Sequence, residues 1–318
     1  MKKIYYFLII ILCAGVISAC SKKKVNPVVS ANDPGTALDR IKDSVYLYAN
    51  EDYLWNTALP SYSVFNPRLF TNPEDKTALS NELDKLSQYA INPATNLPYE
   101  YYSRSPGRAK YSFIDDGTVA AALNGVKGDF GFEYQYNGVN DIRVVYVYPG
   151  SPAGLAGIQR GYQITSINNS TNVSYDGVSN GKTYGTGTSA NINFVYNAIF
   201  NSNTLTMTLQ KQNGTAFNVS LNTANYNVNP VLKDTVFNVG GGHVVGYIVF
   251  NSFTSDANAD PLLNAAFTKF AAQGVTDLCV DLRYNGGGYV STAEHLDNLI
   301  VPSAKSGTPM YTTYYNSN

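Results

Sequence analysis

What most constrains the fold of this chain is an alternation of element signals in its C-terminal quarter. Val244-Val245-Gly246-Tyr247-Ile248-Val249-Phe250 is an apolar run of strand length. Asp260-Pro261 reads as a helix start, with Leu263, Phe267 and Phe270 sharing a face and Gly274 as the stop. Val275 to Leu282 is a second apolar strand. It is followed by Arg283-Tyr284-Asn285-Gly286-Gly287-Gly288 and a helix from about Val290 to Ile300. Strand, helix, strand, glycine loop, helix predicts a right-handed βαβ unit with a loop at the carboxyl end of its second strand.

That loop is not a Walker-type phosphate loop, because no Lys-Ser/Thr follows Gly288. It also lacks the spaced third glycine of a dinucleotide fingerprint. A tight turn needs one glycine or two. Three after Arg-x-Asn suit a backbone nest whose N–H groups receive a developing negative oxygen.

Two blocks precede this unit. Residues 36–125 read as mainly helical, with Leu38, Ile41, Val45 and Tyr48 at helical spacing. Asn72-Pro73-Glu74-Asp75 is a second helix start, and Leu79, Leu83 and Leu86 are its apolar stripe. A Tyr- and Pro-rich loop from Asn92 to Gly107 and an Ala-rich helix from about Thr118 complete the block. Residues 126–230 switch to period-two patterning, as in Ile142 to Val147. Thr204–Gln210 and Thr215–Leu221 flank the hairpin signal Asn213-Gly214. Asn168 to Asn191 reads as a long polar surface loop.

Within that middle block the residues resemble a PDZ domain. Gly128-Asp129-Phe130-Gly131-Phe132-Glu133 is similar to the carboxylate-binding loop and the strand after it. Val147 to Ile158, containing Gly150-Ser151-Pro152-Ala153, and Gly161-Tyr162-Gln163-Ile164-Thr165-Ser166-Ile167-Asn168 match the family's next two segments in order. Tyr162 stands where Asp is usual, and Asn169 where Gly is usual. The resemblance implies a groove that takes a peptide C-terminus as an added strand, with N–H donors from Phe130, Gly131 and Phe132. The alternative is a purely structural PDZ unit.

Val280-Asp281-Leu282-Arg283-Tyr284-Asn285-Gly286-Gly287-Gly288, with Gly246-Tyr247-Ile248 and Ser252-Phe253 before it, resembles the core of the C-terminal processing (tail-specific) serine peptidases. The family order is a helical segment, a PDZ domain and then the peptidase core. It implies a multidomain α+β protein: a helical N-terminal domain (36–125), a PDZ-like β-rich domain (126–230) and, at 231–318, the start of an α/β core of the ClpP/crotonase type. The resemblance implies a Ser nucleophile activated by Lys, and Gly287 as oxyanion donor; Gly286 stands where Pro is commoner. The Ser and Lys are matched by no residue here and are expected downstream of Asn318. Ser291 and His295 are spaced for a local dyad, but Ser291 is misplaced for the family nucleophile, and both read as a polar helix face.

The first residues carry an address. Lys2 and Lys3 precede an apolar stretch from Ile4 to Ile17, and Ile17-Ser18-Ala19-Cys20 resembles a bacterial lipobox. Residues 1–19 then read as a signal peptide, Cys20 as the lipid-bearing N-terminus and residues 20–35 as a tether. An ordinary secretory signal with a chance cysteine is the alternative. The lipobox implies a bacterial envelope location, facing the periplasm or outside.

Charge and cysteine usage exclude other classes. The net charge is −1, with 22 basic and 23 acidic residues, so there is no basic footprint for nucleic acid. Three cysteines (Cys13, Cys20, Cys279) and two histidines (His243, His295) make neither a zinc cluster nor a disulfide framework. Cys279 reads as a buried hydrophobe. No metal or other cofactor is called for. The expected partners are protein or peptide C-termini and, through the anchor, a membrane. The functional expectation is an envelope serine endopeptidase whose PDZ unit reads substrate C-termini. The alternative is a non-catalytic, lipid-anchored PDZ scaffold.

Overall fold

The computed structural model describes residues 34–103, 105–179, 181–316 and 318. Cys20 and the predicted signal peptide and lipobox lie outside them. The fold is mixed α/β, in two compact units: residues up to 114 with 311–318, and residues 115–310.

In the first unit α1 (Ala37–Asp52) starts at a capping box. The Thr36 side chain accepts from the Asp39 N–H, and the Asp39 carboxylate accepts from the Thr36 N–H. The helix forms as predicted, but its buried residues are Lys42, Asp43 and Tyr46, while Ile41 and Tyr48 are 50% and 66% exposed. Polar partners decide this face. Asp43 accepts from Tyr62 Oη at 2.6 Å and pairs with the Arg68 guanidinium at 2.7 Å, and Tyr46 Oη donates to the Pro60 carbonyl.

After the single turn α2 (Tyr62–Phe65), α3 (Asp75–Leu86) begins later than Asn72-Pro73 suggested. Asn72 Oδ1 instead accepts the Glu74 N–H ahead of the helix. Its buried side chains are Ala78, Leu79, Glu82 and Leu86. A short ladder, β1 (Ile91–Asn92) with β2 (Leu97–Pro98), closes part of the predicted loop.

The second unit opens with α4 (Thr118–Leu123) and β3 (Val126–Asp129). Next come β4 (Phe132–Gly138), β5 (Asp141–Val147), the turn α5 (Pro152–Leu155) and β6 (Gln163–Ile167). The predicted polar loop holds a small ladder, β7 (Val178–Ser179) with β8 (Lys182–Thr183), and runs into α6 (Ala190–Phe200), which the sequence reading left out. The loop is tied by buried Asp176, which accepts the N–H groups of Asn191 and Ile192 at the start of that helix. The Asn213-Gly214 hairpin forms between β9 (Thr204–Gln210) and β10 (Ala216–Asn222), and β11 (Ala224–Asn227) pairs with β3.

The main sheet here runs β10-β9-β6-β5-β4, all antiparallel, so β4 is an edge. Phe130, Ile142, Ile164, Ile167, Val195, Leu205 and Leu209 form its core against α6. Each is 1% exposed or less, worth about 2 kcal/mol of transfer free energy per side chain.

The last part contains β12 (Val231–Gly240), β13 (His243–Phe250), α7 (Asp256–Ala272), β14 (Asp277–Asp281) and α8 (Val290–Ile300). β12 pairs antiparallel with β13, and β13 parallel with β14 across α7. α7 begins at Asp256, so Pro261 lies inside the helix and not at its start. Gly274 ends it in a left-handed conformation, φ +65°. Leu263, Ala266 and Phe270 pack with Ile248, Phe250 and Leu296. Cys279 is exposed, contrary to its apolar setting. Strand alternation explains this: Leu278 and Val280 turn toward the α7 core, and Cys279 takes the other face beside Tyr247.

Candidate glycine-loop site and peptide groove

The glycine loop leaves β14 through a braced corner. Buried Asp281 receives Arg283 Nη2 at 2.6 Å, Arg283 Nε at 2.9 Å and Tyr247 Oη at 2.6 Å. The Arg283 hydrogen bonds and the Tyr247 hydroxyl hold this carboxyl well below the usual range, so the brace is ionic at neutral pH. The Asp-x-Arg of the motif is therefore a structural clamp.

Asn285 shapes the loop beyond it. Its Nδ2 donates to the Phe250 carbonyl at 3.2 Å, and its Oδ1 accepts the Gly287 N–H at 2.8 Å. Gly287 O in turn accepts from Phe253 N at 3.0 Å, and Tyr289 N donates to Phe253 O at 2.8 Å, so the loop docks on Phe253 as a parallel bridge. That docking needs Gly288: with φ +141°, a Cβ there would lie 2.0 Å from the Phe253 carbonyl oxygen. Gly286 has no such constraint, since nothing lies within 4 Å of its missing Cβ. Among the described residues no acceptor takes the N–H of Gly286 or Gly288. The predicted oxyanion donor, Gly287, thus gives its N–H to Asn285, between two neighbours whose N–H groups have no partner among the described residues.

Phe130, Gly131 and Phe132 sit at the head of the edge strand β4, all three buried. Gly131 adopts φ +83°, and a Cβ on it would lie 2.0 Å from Ser151 Cβ. Its carbonyl accepts from Tyr148 N at 2.8 Å and from Ser151 Oγ at 3.2 Å, and the Phe130 carbonyl accepts from Ala153 N at 2.9 Å. The N–H groups of Phe130 and Gly131 meet no acceptor among the described residues. Carbonyls tied back and N–H groups left over make a set of donors suited to a carboxylate.

Sequence reasoning missed the residues that join these two loops. Tyr148, which backs Gly131, donates its hydroxyl to Asn251 Oδ1, and Asn251 Nδ2 donates to the Tyr284 carbonyl at 3.2 Å. Asn251 is 4% exposed, and burial pushes the Tyr148 hydroxyl far up, so it stays a donor. The Tyr284 ring lies 5.7 Å from that of Tyr146 and 5.4 Å from the Arg160 guanidinium. Asn251 falls at an unspecified position of the Gly-Tyr-Ile…Phe stretch, so no pattern singles it out.

Ser291 and His295 do not form a dyad. Ser291 Oγ donates to Asp256 Oδ1 at 2.6 Å, while His295 Nε2 faces Asn264 Oδ1 at 3.0 Å. His243 pairs with Asp277 at 2.8 Å on an exposed strand end. Among the described residues no group of three or more His, Cys, Asp or Glu is placed to hold a metal ion, and no helix is long and apolar enough to cross a membrane. A polar recess of about 480 Å³ over β6, β9 and β10 is lined by Ser166, Thr206, Thr208 and Asn218, among others, with no titratable group.

Residues 244–318, which include the glycine loop, match the family model for Peptidase family S41. Over 204 residues the chain is 28% identical to the C-terminal processing peptidase, chloroplastic, of Tetradesmus obliquus. That match covers 59% of this chain and 41% of the other, so the chain spans about two fifths of this relative's length. Among solved structures it is similar to a photosystem II D1 C-terminal processing protease, at 18% identity and a TM-score of 0.36, over 84% of this chain and 66% of that one. It is also similar to an S41 protease from Bacteroides fragilis, at 20% identity and a TM-score of 0.41, over 82% and 58%. The family model and the curated relative support the S41 family of C-terminal processing peptidases.

Proposed function

We propose that this chain carries the substrate-reading and oxyanion-bearing parts of a serine endopeptidase of the C-terminal processing type. It would be held on the bacterial envelope through a lipid on Cys20. The observation that carries the reading is the family-model match over 244–318, because it falls on the segment that builds the glycine loop. The PDZ-type role of residues 126–230 is supported by the unaccepted N–H groups of Phe130 and Gly131 at the head of an unpaired strand edge.

In this reading a substrate tail adds as a strand to β4 and its carboxylate enters the donor site at Gly131. The glycine nest stabilises the oxyanion formed when a nucleophile attacks the scissile carbonyl. Gly287 can do so once its N–H exchanges Asn285 Oδ1 for the substrate oxygen; that amide oxygen holds the place in the meantime. The nucleophile and base are the Ser and Lys of the resemblance, expected outside these residues. The Lys serves as a base only if burial lowers its pKa toward neutrality.

Three measurements test the proposal. The full chain in detergent should bind a peptide ending in a free apolar residue, and C-terminal amidation should abolish binding. Equal binding of both forms would show that the carboxylate is not read. The chain as given should hydrolyse no peptide; turnover lost on Ser291→Ala would overturn the assignment of the chemistry. For the anchor, a clickable fatty acid should label the wild type and not Cys20→Ala.

A further inference from the structure

The proposed groove carries more chemistry than a carboxylate site. Along the free edge of β4 lies a row of aromatic rings in contact. Phe200 of α6 has its ring 5.0 Å from Tyr196 and stacks on Tyr134 of β4 at 5.9 Å. Tyr134 meets Tyr136 edge-on at 6.0 Å, and Tyr136 meets Tyr175 edge-on at 5.4 Å.

Core packing does not account for the whole row. α6 is already anchored by Val195, Ala198 and Ile199, all buried. Tyr196 and Phe200, four residues apart and so on one face, remain 51% and 43% exposed. Two large rings left in water beside an unpaired strand edge are a surface awaiting apolar contact. At the other end of the row the Tyr136 hydroxyl is buried without a hydrogen-bond partner among the described residues.

We infer that this row reads the substrate tail at every second residue, selecting aromatic side chains at the third and fifth positions from the C-terminus. The inference rests on the peptide-tail reading above, because the tail's register is set by its carboxylate at Gly131. An added antiparallel strand then places its last residue beside Phe132, the third from the end beside Tyr134 and the fifth beside Tyr136. Side chains alternate between faces along a strand, so these residues lie on the ring-bearing side and the second and fourth turn away. Cross-strand aromatic pairs are favourable on such a face.

Two peptides of one composition test this by fluorescence polarisation with the full chain in detergent. Both end in a free valine. In Ala-Phe-Ala-Phe-Ala-Val the rings occupy the third and fifth positions from the end; in Ala-Ala-Phe-Ala-Phe-Val they occupy the second and fourth. The first is expected to bind at least tenfold more tightly, and Tyr196→Ala should shrink that ratio. Equal affinities for the two Phe peptides, with binding still lost on amidation, would overturn the inference and leave the carboxylate reading standing. A register preference that survives amidation would sink the carboxylate reading alone. Absence of binding by every peptide would remove both.

Discussion

Glu82 on α3 should make this protein less stable as pH rises through neutrality. Its carboxylate is fully buried, and neither oxygen has a hydrogen-bond partner among the described residues. Desolvation pushes its pKa from 4.5 up to about 9; Lys42 opposes this and Asp43 adds to it. The unfolded chain therefore releases this proton near pH 4.5, whereas the folded chain holds it to about pH 9. Between those limits folding must retain a proton that water would take, and stability falls by about 1.4 kcal/mol per pH unit. At pH 7 the penalty is roughly 3 kcal/mol, and at pH 5 under ~1 kcal/mol, by the same linkage. Groups with depressed pKa values, such as Asp39 and Asp281, act in acid below this window.

Glu82→Gln removes the proton without changing the shape, and Glu82→Met also removes the unpartnered polar atoms. Urea denaturation can be followed through Trp55, the one tryptophan of the chain, which stacks on Tyr99 at 4.5 Å in the same unit as Glu82. The Gln variant should exceed wild type by little at pH 5 and by roughly 3 kcal/mol at pH 7. The Met variant should show the same pH trend. A difference between wild type and Gln that stays flat from pH 5 to 8 would refute the argument, because it would mean that Glu82 ionises normally in the folded state.

Three further outcomes follow from contacts at the candidate site and in the first unit. Gly288→Ala should cost ~3 kcal/mol or more by urea denaturation, because its Cβ enters the Phe253 carbonyl; Gly286→Ala, in open space, should stay within about 0.5 kcal/mol. Asn251→Leu should cost roughly 2 kcal/mol by leaving the buried Tyr148 hydroxyl unpaired, and the double variant with Tyr148→Phe should cost less than the two single losses together, as a thermodynamic cycle will read. Arg68→Met should cost about 3–5 kcal/mol in thermal melts, since it strands the buried Asp43 carboxylate; adding Asp43→Asn should recover part of the loss.

What the sequence determined by itself was local. The Asn213-Gly214 turn, the period-two strands around it, the Gly274 stop and the helix from Val290 are short-range matters of backbone preference and apolar spacing, and each forms where the residues place it. The glycine loop was legible for the same reason: three glycines after Arg-x-Asn are an uncommon local statement. What only the tertiary structure decided depends on partners distant in the chain. Lys42 and Asp43 lie on the packed side of α1, where an apolar stripe was expected, because Arg68 and Tyr62 reach Asp43 from other segments. Cys279 faces out because burial in a strand is settled by which face the neighbouring helix covers, and no run of apolar letters encodes that. Pro261 sits within α7 because Ser255 and Asp256 open the helix a turn earlier. Gly287 was chosen from a motif, yet where its N–H points depends on Asn285, itself held by Phe250, 35 residues earlier in the chain. Asn251 joins the two candidate loops through single hydrogen bonds to Tyr148 and Tyr284. Such a role leaves no periodic trace, because it needs one amide in one place and tolerates almost anything on either side.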